Sequence, residues 1–230
     1  MNTQKIAALL TISFLILSCS TAEKQARQKL DKMGIGYSES EFLDSIAKGK
    51  MDIVTLFLEA GMSPNTKQGE ITALMEAARR GKTHSGIAAA LIKAGAEITA
   101  RDSHGVTPLM FAAISGSPET IRMLLKSGAD VKAKDADGRT VLIESLTTEN
   151  GSPPEIVEEL IQAGAEVNIK VYGGLTPLMS AAGGDSRVLR TLIHAGADLN
   201  ATDDQGATAL RWAKESPANY QILKDAGAKE

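Results

Sequence analysis

The sequence predicts an all-α solenoid of about six stacked helix pairs, with capping units at both ends. Three observations lead there. A helix-ending glycine recurs as Gly61-Met62, Gly95-Ala96, Gly128-Ala129, Gly164-Ala165, Gly196-Ala197 and Gly227-Ala228, at steps of about 33 residues. A second marker precedes these glycines: Thr72-Ala73-Leu74-Met75, Thr107-Pro108-Leu109-Met110, Thr140-Val141-Leu142-Ile143, Thr176-Pro177-Leu178-Met179 and Thr208-Ala209-Leu210-Arg211. Ser40-Glu41-Phe42-Leu43 is a weaker first copy. Finally, hydrophobic residues reach 43% while aromatics are only 3%. The apolar volume therefore comes from Ala, Leu, Ile and Met, which suits closely packed helices.

In chain order, residues 1–18 come first. Lys5 supplies a short positive region, and Ile6 to Leu17 is an uncharged, mostly apolar run. That run is shorter than the ~20 residues a bilayer requires, but it fits the apolar part of a signal peptide. It ends in Leu15-Ile16-Leu17-Ser18-Cys19, which resembles the bacterial lipobox. The resemblance implies cleavage before Cys19 and lipidation of its thiol. Several acyl chains, at about 0.8 kcal/mol per buried CH₂, hold a protein stably. Cys19 is the only cysteine, so no intramolecular disulfide or multi-cysteine metal site can form. By likeness to lipoprotein sorting, Ser20 after the Cys implies the outer membrane. The alternative is an ordinary secretory signal or a hydrophobic N-terminal anchor. Residues 19–37 then read as the lipidated Cys and a polar tether, partly helical, ending near Gly34-Ile35-Gly36.

From 38 to 230 the repeat takes over, and residues 105–134 make its physics legible. Thr107 is an N-cap. Pro108 stands at N1, where its missing N–H costs nothing. Leu109, Ala112 and Ala113 face inward, and Gly116 breaks the first helix. Glu119 to Lys126 forms the second, with Ile121, Leu124 and Leu125 as its apolar stripe. Gly128 takes a left-handed cap. Ala129 to Lys134 extends away, and Asp135-Ala136-Asp137-Gly138 turns into the next unit.

This pattern resembles the ankyrin repeat, with its T-P-L-H and G-A-D-x-N segments, and the resemblance covers residues 38–230. It implies helix–loop–helix units joined by β-hairpin turns. The usual His after Leu is Met or Ile in the inner units and Arg211 in the last, which removes a polar contact at the helix start. Insertions fall near Thr83-His84-Ser85-Gly86 and at Glu149-Asn150-Gly151-Ser152-Pro153-Pro154, both between paired helices. The fifth unit is shortened at Gly183-Gly184-Asp185, and the last ends in a truncated helix after Tyr220. Trp212 is expected in the C-terminal cap core, and His84 at the surface of its inserted loop.

The chemistry is sparse. No paired-carboxylate site, phosphate loop or G-x-S-x-G elbow is visible. Asp102-Ser103-His104 lies in a turn and does not read as a triad. The recurring Met75, Met110 and Met179 read as core packing. No catalytic residue, metal site or cofactor is expected. With 25 basic and 28 acidic residues and a net charge of -3, a nucleic-acid binder is not expected either.

What remains is surface. The ankyrin resemblance implies a concave face of first helices and turn tips that binds a partner protein. Its expected residues are Arg79, Arg80, Ser103, His104, Val106, Ile114, Ser115, Ala136, Asp137, Arg139, Thr147, Thr148, Tyr172 and Leu175. Tyr172 stands out as an aromatic where other turns have Ala136, Ser103 or Asp204. Its alternative role is packing over its own hairpin. The expectation is a monomeric, non-catalytic binding module on the outer membrane, facing the periplasm and inhibiting, protecting or scaffolding an unknown protein. The rival readings are a surface-exposed adhesin binding host molecules, or an envelope enzyme.

Overall fold

The computed structural model describes residues 21–148 and 153–229. The lipobox, Cys19 and residues 149–152 of the fourth unit's insertion lie outside the described residues.

Each first helix starts as the sequence dictates. Thr72, Thr107 and Thr176 hold extended backbone, and their hydroxyls accept the N–H of Met75, Met110 and Met179. Pro108 and Pro177 follow at N1. These caps open α4 (Ala73–Arg79), α6 (Pro108–Ile114) and α10 (Pro177–Ala181). The corresponding helices α2 (Glu39–Ala47), α8 (Val141–Leu146) and α12 (Ala209–Trp212) complete the set. In α4 the Met75 sulfur accepts the Thr72 N–H at 3.5 Å, so some of the polar contact usually made by His is kept.

The second helices are α3 (Met51–Glu59), α5 (Ser85–Lys93), α7 (Pro118–Lys126), α9 (Pro154–Gln162), α11 (Ser186–His194) and α13 (Pro217–Asp225). Glycines with positive φ end them. Gly128, at φ 89, lets its own N–H reach Leu125 O and the Ala129 N–H reach Leu124 O, satisfying carbonyls that would otherwise be orphaned. α13 has nine residues, as its counterparts do, so the expected truncation falls elsewhere. It is α12, with four residues, that is cut short.

The helices form two layers. α2, α4, α6, α8, α10 and α12 pack side by side in one, and α3, α5, α7, α9, α11 and α13 in the other. Alanine pairs such as Ala77-Ala78, Ala112-Ala113 and Ala181-Ala182 are buried on the first helices. Their small size lets the second helices insert Ile121 and Leu124 or Leu189 and Leu192, while in the fourth unit Val157 and Leu160 are buried beside a first helix that has no alanine pair. Among the described residues no closed centre forms; the core runs the length of the stack.

Hairpins join the units. β1 (Lys67–Gln68) and β2 (Ile71–Thr72) pair antiparallel, and single bridges Lys134↔Thr140 and Thr202↔Thr208 stand at equivalent places. Asp102, Asp135 and Asp203 pin the turns, each carboxylate accepting N–H groups two and four residues on. Adjacent tips then stack. The Ala136 N–H donates to His104 O at 2.7 Å, and Asp204 N–H to Gly173 O at 3.0 Å. Gly174 permits the second contact: its φ is +74, and a Cβ there would lie 2.8 Å from Asp204 N.

Two expectations are corrected here. Residues 21–32 are helical, in keeping with a partly helical tether, but this helix, α1, is docked on the first unit and not solvated. Ala26 and Leu30, one turn apart, are buried in the core. Arg27 donates through Nε to Ala60 O at 3.1 Å and sits 4.2 Å over the Tyr37 ring, whose hydroxyl donates to the same carbonyl. Tyr37 in turn stacks on Phe57 at 5.9 Å. The second correction is His84, which is buried. Of the insertion expected near Thr83-His84-Ser85-Gly86, the first two residues lie in a 3-10 turn, Gly81–His84, that folds back on the α2–α3 connection, and the last two open α5. The imidazole lies against Gly49, with Nδ1 within 2.9 Å of Thr83 Oγ1.

Candidate protein-binding face

The first-helix layer and the hairpin tips beside it carry most of the expected site residues. The fourth residue after each cap forms a column along that layer: Glu76, Phe111, Glu144, Ser180 and Trp212. Glu76 and Glu144 are buried side chains in this column; the first holds two arginines and the second one. Glu76 bridges Arg79 and Arg80, accepting from Arg80 Nε at 2.8 Å. Both guanidiniums are therefore held by one carboxylate while remaining exposed to solvent. Glu144 takes Arg139 Nη1 at 3.0 Å, and Arg139 also donates to Thr147 Oγ1 at 3.2 Å. Burial pushes the Glu144 carboxyl above its ordinary range; Arg139 opposes that shift, while Asp135 and Asp137 add to it.

The expected residues divide into exposed and inward-held groups. Ile114 is 46% exposed and Tyr172 93%. Tyr172 does not pack over its own hairpin. Ser103, His104, Ala136, Asp137 and Thr147 are exposed as well. Val106 and Leu175 are instead half-buried and pack against the core. Ser115 is a stitch: its hydroxyl donates to Ala78 O at 2.8 Å, joining two first helices. Thr148 is half-buried and donates to Ser145 O.

Trp212 is a functional candidate that the sequence reading placed in the core. It is 49% exposed, and its indole N–H donates to Asp203 Oδ2 at 3.0 Å. Asp203 is well prepared to accept. The Ala207 N–H foremost, with Trp212 and the Gln205 N–H, holds its carboxyl below the usual range. An outward-pointing tryptophan whose polar end is already satisfied offers its apolar face to a partner.

A recess of about 580 Å³ lies at the N-terminal end of this face. α2 forms one bank, and β1, β2 and α4 the other. Among the described residues, no group of three or more His, Cys, Asp or Glu is placed to hold a metal ion. No helix among them is long and apolar enough to cross a membrane.

A row of helix pairs with projecting hairpins, a continuous core and an open inner face defines a repeat solenoid built for macromolecular contact. The family model for ankyrin repeats matches residues 43–135 and 143–228. The chain belongs to the ankyrin repeat family, whose repeats generally mediate protein–protein binding. It is 34% identical over 195 residues to a putative ankyrin repeat-containing protein of Treponema pallidum (strain Nichols), covering 84% of this chain and 53% of that protein. It is also 34% identical over 173 residues to an ankyrin repeat and KH domain-containing protein of Caenorhabditis briggsae, covering 70% of this chain and 6% of that one. The chain thus spans about half the length of the first relative and a small part of the second.

Proposed function

We propose that this protein is a non-catalytic binding module, held to the bacterial outer membrane by lipid on Cys19, that captures a partner protein on its first-helix face. The observation that carries this reading is the pairing of exposed anchors with fixed arginines on one face. Trp212, Tyr172 and Ile114 expose large apolar surface, and Glu76 holds Arg79 and Arg80 in place. Tryptophan, tyrosine and arginine dominate interface hot spots. Arginines already ordered by a carboxylate lose less side-chain entropy when a partner arrives. The apolar leader ending at Cys19 supports the anchor, and Ser20 supports the outer membrane with the solenoid facing the periplasm.

The test uses the full chain as bait in envelope extracts. A partner captured by the parent is expected to be lost with Trp212→Ala and with Arg79→Ala, and retained with Glu158→Ala on α9 in the other layer. Loss through Glu158→Ala alone, with the other two unchanged, overturns the assignment. Trp212 is the only tryptophan, so its emission reports directly whether a purified partner covers it. Palmitate labelling is expected to vanish in Cys19→Ala; persistent labelling there removes the anchor from the reading.

A further inference from the structure

The recess between α2 and the first hairpin has an unusual charge layout. On the α2 bank stand Glu39 and Asp44; on the hairpin and α4 bank stand Lys67, Arg79 and Arg80. Between the banks the lining is apolar, with Leu43, Ala47 and Ile71. Glu76 lies beneath the arginines and is already satisfied by them. The recess is thus neither an anion site nor a cation site. It is split along its length, acid on one bank and base on the other.

We infer that this recess takes an extended segment of the partner in which acidic and basic side chains alternate. The inference rests on the reading that the partner docks on the first-helix face. In an extended chain successive side chains point to opposite sides, so an alternating sequence puts all its acids on one edge and all its bases on the other. Side chains two apart on such an edge are separated by about 6.8 Å. Glu39 and Asp44, five residues apart on α2, are separated by about 7.5 Å along the helix axis and by about 140° around it, so they stand at two edges of the bank and not in a single row. Together they give the α2 bank two carboxylates for the basic edge of the segment. On the other bank the acidic edge meets Arg79 and Arg80, whose outward N–H groups form charge-assisted bonds with carboxylates. Asp44 is paired with Lys48 at 2.7 Å. That exposed pair is weak and exchanges readily for a lysine of the partner. A helix carrying the same residues would spread its charges around its axis and match only one bank at a time.

The experiment measures anisotropy of labelled peptides with the full chain at low ionic strength. One peptide alternates Glu and Lys. A second has the same composition in two blocks, and so the same net charge. A third is all Glu. The alternating peptide is expected to bind at least about tenfold more tightly than the block peptide, the factor one charge-assisted contact carries. Its binding should weaken with added salt. Arg80→Gln should weaken it as well. The double variant Glu39→Lys with Asp44→Lys reverses one exposed bank without touching the core, and should bind the all-Glu peptide more tightly than the parent does. Equal affinity for the alternating and block peptides overturns the inference, as does a double variant whose preference is unchanged. If the peptides fail while partner capture still depends on Trp212 and Arg79, the recess assignment falls and the docking face stands. If capture itself does not depend on them, the docking face falls first.

Discussion

At the scale of single residues, the face is organised by two buried acids at one repeat position. Glu144 is 8% exposed and paired with Arg139, yet burial leaves its carboxyl easier to protonate than usual. A raised pKa in the folded state means that the native protein binds this proton more tightly than the unfolded chain does. From the usual glutamate value of about 4.3 up to the raised native value, stability therefore falls as pH rises. It recovers as pH drops through the same window. Glu144→Gln should flatten that part of a melting-temperature profile while keeping the neutral-pH melting temperature within a few degrees of the parent. Glu144→Ala should lower it at every pH, because Arg139 loses its acceptor and the site its volume.

The column holding Glu76, Glu144 and Trp212 was legible in principle, since each lies four residues after its cap. A lone tryptophan in an aromatic-poor chain suggests a core, so composition alone points Trp212 inward. Its position on the helix points instead to the open face. The burial of His84 is hidden from the sequence for a different reason. Spacing reveals an insertion but not the direction in which it folds, and only the packing against Gly49 shows that it turns inward.

At the scale of elements, the caps and breakers were plain in the sequence. Thr and Pro at helix starts and glycine at helix ends are local signals, and local signals survive without tertiary knowledge. α1 was not plain. Its buried stripe is just Ala26 and Leu30 in a charged stretch, too little periodicity to separate a docked helix from a solvated one. The docking comes from partners distant in sequence: Tyr37, Phe57 and the carbonyl of Ala60. Leu30 is fully buried, so Leu30→Ala should cost about 3 kcal/mol and release α1 first. Limited proteolysis should then cut within residues 21–37 before the rest of the chain. A solvated tether would show neither effect.

At the scale of the whole molecule, stability is shared among neighbouring units. Asparagines after the helix-ending glycines stitch some of the seams. Asn65 Oδ1 accepts the Glu97 N–H at 2.7 Å, Asn168 bonds both Gly196 O and the Asp198 N–H, and Asn200 Oδ1 accepts the Lys229 N–H. The equivalent positions Thr99 and Lys132 make no such side-chain bond among the described residues. Lys132→Asn should therefore add a bond to the Glu166 N–H and raise stability by about 1 kcal/mol. Chemical denaturation would measure the gain, and hydrogen exchange should slow most at the seam between the third and fourth units. The family assignment reads off the sequence because period and marker agree through six units. The binding face reads off it less well, because side chains such as Ser115 and Val106 turn inward for reasons only neighbouring units supply.

The helix α1 has a consequence for how such an array could lengthen. It occupies the flank on which a preceding module would otherwise rest, burying Ala26 and Leu30 there. A duplicated module placed ahead of the first unit would have to displace this helix before it could rest there. An interior seam presents no such obstacle, because both neighbours there still offer a matching side.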